Sequence, residues 1–102
     1  MTTNNKTGLL NNSKWYNLFK LSDDLSMDLV LKQLNNQNEI YCDFIRELEK
    51  DCLMIDDKSG FIKFVDIEKI TLKTNLELIA FLDKKNYSFD AEHDSIDVYG
   101  YK

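Results

Sequence analysis

Three side chains offer the chemistry of a nucleophile or a soft metal ligand: Cys42, Cys52 and His93. A thiol–imidazole pair needs a third group to orient the ring, and no strained elbow or glycine-rich turn flanks either cysteine. With a single histidine no two-histidine metal site can form, and the spacing of the three residues matches no zinc pattern. The run Asp90-Ala91-Glu92-His93-Asp94 is dense in oxygen ligands for a hard cation. It lacks the alternating ligand order and the glycine of an EF-hand loop. Asp56-Asp57-Lys58-Ser59-Gly60 fails the same test, because Lys58 stands where an oxygen ligand is needed. Glu47 and Asp51, one helical turn apart with Lys50 beside them, read as a solvated face and not as an acid/base pair. The three glycines, Gly8, Gly60 and Gly100, are too scattered for a phosphate-binding loop. This reading assigns no catalytic residue, no cofactor and no metal. A small hydrolase using Cys42 or Cys52 with His93 is the minority alternative.

The chemistry of binding is better represented. Asp90, Glu92, Asp94 and Asp97 place four carboxylates near the C-terminal end, with no basic residue after them until Lys102. The alternating segment Ile96 to Tyr101 reads as a strand. If Ile96 and Val98 face the core, Tyr99 and Tyr101 stand on the other face beside Asp97. Tyrosine next to carboxylate forms a hot-spot patch for a basic partner; the plain alternative is cross-strand tyrosine packing. The candidate partner-binding residues are therefore Asp90, Glu92, Asp94, Asp97, Tyr99 and Tyr101.

Charge points the same way. Eighteen acidic residues against thirteen basic ones give a net charge of −5. That disfavours nucleic acid and anionic membrane surfaces, whose binding rests on Lys and Arg. It favours a basic protein, and it also simply keeps a domain soluble. Arg46 is the sole arginine, which leaves little capacity for bidentate clamping of phosphate. No apolar run approaches the roughly 18 residues of a membrane helix. Met1 to Asn12 is polar and does not resemble a signal peptide. A cytoplasmic protein with both cysteines reduced and buried is expected.

The elements that must position these residues follow from periodicity. At 102 residues the chain is the size of one domain, residues 13–102, preceded by a flexible arm over residues 1–12. Ser13 reads as the N-cap of a helix over Lys14 to Leu21, with Trp15, Leu18 and Phe19 on one face. A second helix is expected after Ser22 or Asp23, ending at the polar run Asn35 to Asn38. The i, i+4 rows through Ile40, Tyr41, Phe44, Ile45 and Leu48 favour a third helix over Glu39 to Asp51, with a strand pairing Ile40, Cys42 and Phe44 as the alternative. From Cys52 the period shortens, and Leu53 to Ile55 with Phe61 to Val65 reads as a β-hairpin. Asp66 to Lys73 continues as strand, with a bulge or bend near Glu68 and Lys69 where the apolar positions change parity. Thr74 to Glu77 matches a capping box for a helix through Leu82, closed by Lys84, Lys85 and Asn86. Tyr87 to Phe89 and Ile96 to Tyr101 are the final strands. Trp15, Phe19, Phe44, Phe61, Phe64 and Phe81 are expected in the core.

Two signatures carry a resemblance. The Lys14-Trp15 start of the first helix, Ile67-Glu68-Lys69-Ile70, and the Val98-Tyr99-Gly100-Tyr101 close resemble a family of small, uncharacterised bacterial proteins with an N-terminal Lys-Trp and a terminal aliphatic-Tyr-Gly-Tyr. In size and acidity the chain is also similar to immunity proteins of polymorphic toxin systems, including contact-dependent inhibition. That likeness implies a cytoplasmic antitoxin that binds and occludes one cognate basic toxin, often a nuclease. The fold expected is α+β: N-terminal helices packed on an antiparallel sheet of three to five strands, with one inserted helix. The alternative function is a self-associating accessory domain, a homodimer without catalytic activity.

Overall fold

The computed structural model describes residues 8–35, 38–55, 58 and 60–101. Helix α1 spans Asn12–Asp24 and buries Trp15, Leu18, Phe19 and Ser22, the face that helical spacing predicts. Its cap is Asn11, whose side chain accepts the Lys14 N–H at 2.8 Å, two residues before the expected Ser13. The far end closes on Ser26 in the left-handed region at φ 54°, with Met27 N–H donating to Ser22 O at 2.9 Å and Ser26 N–H to Asp23 O at 3.0 Å. This is the Schellman arrangement, which satisfies the last carbonyls. Helix α2, Leu76–Lys84, ends the same way on Asn86 at φ 62°, with Tyr87 N–H to Leu82 O and Asn86 N–H to Asp83 O. Its N-cap is Asn75, which accepts the Leu78 N–H at 3.0 Å; the expected Thr74 capping box is thus displaced by one residue.

The strands are β1 (Leu29–Gln33), β2 (Glu39–Cys42), β3 (Glu47–Leu48), β4 (Cys52–Met54), β5 (Phe61–Lys63), β6 (Ile67–Lys73), β7 (Phe89–Ala91) and β8 (Ser95–Tyr99), with a single 3-10 turn, Phe64–Asp66, between β5 and β6. They form an antiparallel five-stranded sheet in the order β2-β1-β6-β8-β7 and a three-stranded sheet in the order β3-β4-β5. The class is α+β, with one N-terminal helix and a second helix inserted between strands. Two expected helices are strands instead. The segment after Asp24 becomes β1, and Glu39 to Asp51 becomes β2 and β3. Their apolar residues find partners across strands and not along a helix: Leu29 lies between Cys42 and Leu72, and Leu31 between Ile40 and Ile70. Short apolar runs fit either period, and long-range pairing decides.

The hairpin of β4 and β5 matches expectation, with Leu53 opposite Ile62, while its connector at residues 56, 57 and 59 lies outside the described residues, as do residues 36–37 of the expected helix stop. The bulge matches expectation too: Lys32 faces Lys69 and Gln33 faces Ile67, which leaves Glu68 as the extra residue. The penultimate strand begins at Phe89 and not at Tyr87, which turns inward and is buried at the exit of α2. Of the expected arm, residues 1–7 lie outside the described residues. Gly8 bridges Tyr101, Leu9 N–H donates to Gly100 O, and Asn11 caps α1, so residues 8–12 are tied down.

One core holds both helices and both sheets together. Trp15 stacks on Phe19 (5.4 Å between centroids) and Phe19 on Phe64 (5.5 Å), joining α1 to the 3-10 turn. Phe44 and Phe61, expected inside, are about half exposed, because they fall on outward positions of short strands and connectors. Trp15 also lies against Gly100. A Cβ there would meet Trp15 Cζ2 and the Ile67 carbonyl oxygen, each at 2.6 Å. Gly100→Ala therefore forces the helix or the strand to move, and should cost about 1–3 kcal/mol in urea unfolding. At Ser26 the reverse holds. A non-glycine residue in the left-handed region costs on the order of 1 kcal/mol, so Ser26→Gly should raise the urea midpoint.

Candidate functional site

In the five-stranded sheet, side chains alternate strictly between two faces. The inner face carries the rows Cys42–Leu29–Leu72–Ile96–Ala91 and Ile40–Leu31–Ile70–Val98–Phe89, and all but the exposed Ala91 at the edge pack into or against the core. The outer face carries Tyr41–Val30–Thr71–Asp97–Asp90 and Glu39–Lys32–Lys69–Tyr99. Every member of these outer rows is exposed or half-buried. Among the described residues no helix lies over this face: α1 and α2 turn their buried residues to the core. The first outer row is about 19 Å long, four strand spacings.

The electrostatics of that row are unfavourable for an isolated domain. Asp90 on β7 stands directly opposite Asp97 on β8. Like charges in that position cost roughly 0.2–1 kcal/mol. Neither is in a salt bridge among the described residues; each instead takes a hydroxyl. Thr71 Oγ1 donates to Asp97 Oδ1 at 2.6 Å, and the Tyr99 hydroxyl donates to Asp90 Oδ2 at 3.0 Å. Partial burial, then the bond to Asp90, pushes the Tyr99 hydroxyl up to about 12. Across the sheet, the Tyr41 hydroxyl donates to Asp28, and that bond raises its ionisation above the usual tyrosine range. Lys32 is neutralised by Glu68 at 2.8 Å, inside the bulge.

The structure gathers some of the candidate residues and separates others. Asp90, Asp97 and Tyr99 form one patch, and Ile96 and Val98 face the core as the tyrosine reading requires. Glu92 and Asp94 are exposed in the turn between β7 and β8, where Glu92 N–H donates to Ser95 O and Thr74 N–H donates to Asp94 O. Tyr101 is set apart: its hydroxyl donates to the Val65 carbonyl at 2.6 Å and its ring packs near Gly8. Strand β8 lies inside the sheet and β7 forms the edge, so Asp97 does not guard a free edge. Sequence reasoning missed Tyr41, Asp28 and Thr71. The Glu39-Ile40-Tyr41-Cys42 alternation was the available signal for the first.

The remaining chemistry is dispersed. Cys42 is buried at one edge strand, where its thiol donates to Phe44 O and burial pushes it up to about 11. Cys52 belongs to the other sheet, and His93 sits in the turn beside the opposite edge strand. Both cysteines are free thiols. Among the described residues no group of three or more His, Cys, Asp or Glu side chains is placed to hold a metal ion. Among the described residues no helix is long and apolar enough to cross a membrane. Comparison with protein-family models, with curated proteins and with solved structures finds no match to this chain.

Two measurements check this electrostatic picture. Asp90→Asn removes the facing like charge, so it should raise thermal stability by roughly 0.2–1 kcal/mol, with a smaller gain at high salt. The raised pKa of Tyr99 means that, above pH 10, the unfolded chain gives up this proton while the folded one keeps it up to about 12. Stability is thus fully present below pH 10 and falls as pH rises through 12. In Asp90→Asn, phenolate absorbance should show one tyrosine ionising at lower pH than in the parent protein.

Proposed function

We propose that this domain is a protein-binding inhibitor of the immunity type, which lays the outer face of its five-stranded sheet over the basic surface of a cognate toxin in the cytoplasm and excludes the toxin's substrate. The observation that carries the reading is the facing pair Asp90 and Asp97, on a sheet face left open by both helices. An isolated domain gains nothing from two carboxylates held side by side with no ion-pair partner among the described residues. A partner supplying Lys or Arg at that point removes the repulsion and adds charge-assisted hydrogen bonds. The Tyr99 ring beside them supplies area at low entropy cost, in the manner of an interface anchor. Affinity would rest on these few groups, and steering on the net charge of −5.

A self-associating accessory domain is the second reading, favoured by the half-exposed Phe61 on edge strand β5 and by exposed Val65 just beyond it. Light scattering over a concentration series separates the two, since a stable homodimer disrupted by Phe61→Glu supports self-association.

The immunity reading is tested by co-expressing the tagged domain with the product of the adjacent upstream gene. A stoichiometric complex with a basic protein, weakening as salt rises, is expected. The triple variant Asp90→Lys, Glu92→Lys, Asp94→Lys changes exposed side chains only, and should lower affinity about tenfold or more, which is about 1.4 kcal/mol. Unchanged affinity in that variant, with folding verified by circular dichroism, defeats the reading.

A further inference from the structure

At one end of the outer face, beyond the Asp90–Asp97 pair, a groove of about 340 Å³ opens between β1, β2, β6 and the turn that precedes β8. Its lining includes Asp28, Val30, Tyr41, Thr71, Lys73 and Asp94. The Tyr41 ring is 61% exposed, yet its hydroxyl is fixed by the bond to Asp28, so the ring is a platform already held in place. That bond ends on Oδ2 of Asp28 and leaves Oδ1 for a donor arriving from outside. The exposed Asp94 carboxylate has no hydrogen-bond or ion-pair partner among the described residues. Val30, the aliphatic member of the outer row, gives the floor its apolar character.

An aromatic wall, two carboxylates and an apolar floor complement one kind of side chain. We propose that this groove is the anchor site for a single arginine of the basic protein partner, with its guanidinium stacked on Tyr41 and paired with Asp28 and Asp94, and its methylenes on Val30. The inference rests on the binding reading above and names the residue type that the partner presents. Arginine fits better than lysine because a planar guanidinium both stacks on a ring and donates in two directions, whereas an ammonium is a strongly hydrated point charge. The groove also holds a competitor: the exposed Lys73 stands in its lining. An incoming guanidinium must displace or tolerate that ammonium, so Lys73 sets the affinity from the opposite side.

The experiment is an NMR titration of the isotope-labelled domain with N-acetyl-arginine amide. Saturable shifts confined to the amides around Asp28, Tyr41, Thr71 and Asp94 are expected. N-acetyl-citrulline amide, of equal shape without the charge, should leave them unmoved, and N-acetyl-lysine amide should bind more weakly. Tyr41→Ala and Asp94→Asn change exposed side chains, and each should weaken the arginine probe about two- to fivefold. Lys73→Gln should tighten it. Weaker binding in Lys73→Gln overturns the proposal, because the groove would then be an anion site. Non-saturating shifts spread over all carboxylates, or equal binding of lysine amide, overturn it as well. So does tighter binding of free L-arginine, whose α-carboxylate the acidic rim repels, since that marks a site for the free amino acid. A domain that captures no protein partner but saturates with arginine amide keeps the groove and loses the inhibitor reading. A domain that captures a partner but ignores the amide keeps the inhibitor reading and loses the groove.

Discussion

The fold depends on how closely Trp15 approaches the backbone at Gly100. No side chain larger than hydrogen fits between the indole, the Ile67 carbonyl and that Cα. The same residue donates its N–H to Glu68 O at 2.7 Å, and Tyr101 N–H shares that acceptor at 3.2 Å. The bulge at Glu68 therefore receives the end of the sheet just where the first helix presses on it. From Trp15 the ring stack runs through Phe19 to Phe64, whose N–H donates to Asp51 O and so fastens the smaller sheet. Next to Trp15, Lys14 donates to the carbonyls of Lys85 and Asn86 at the end of α2 and lies over the Tyr87 ring at 5.1 Å. Tyr87 returns a hydrogen bond to the Lys14 carbonyl at 2.6 Å. Two adjacent residues thus join the first helix to the last strand and to the second helix. Trp15 and Gly100, far apart in the sequence, are two halves of one contact.

With the inner face committed in this way, the outer face is free to hold an arrangement that does not favour stability. Asp97 and Asp90 are opposed across a strand pair, and hydroxyls from Thr71 and Tyr99 soften the repulsion. Local conflict of this kind survives where the rest of the structure outweighs it, and it concentrates at functional surfaces. The conflict here is small, within what one interface ion pair could offset. Lys32, paired with Glu68, does not relieve it.

What was legible in the chain followed from local signals. The buried stripe of α1 and the exit of α2 at Asn86 could be read directly. So could the hairpin after Cys52 and the bulge at Glu68, which shows as a change in the parity of apolar positions. The stop of α1 could not be read. It falls beyond Asp24 on Ser26, which adopts the left-handed conformation that glycine or asparagine normally announces; the reading ended the helix at Leu21 and began a second one that covered β1. Strands β1 and β2 are five and four residues long, and their apolar residues suit helical spacing as well as alternation. For β1 it is the pairing with β6, more than thirty residues further on, that decides between them. The site was half legible for the same reason. Composition marks the acidic cluster, but which residue faces Asp97, and that Tyr41 ends its row, belongs to register and not to local sequence.

The closeness of Trp15 to Gly100 also bears on the order of folding. Helix α1 has no complete surface to pack on until β6 has paired with both β1 and β8, across segments separated by tens of residues. Closing such loops is slow compared with forming a helix, so the apolar face of α1 waits, open to other chains, while the sheet assembles. This chain carries a single tryptophan, and it sits at the junction between the first helix and the end of the sheet. Its indole emission is a built-in reporter of the moment when the two ends of the domain meet.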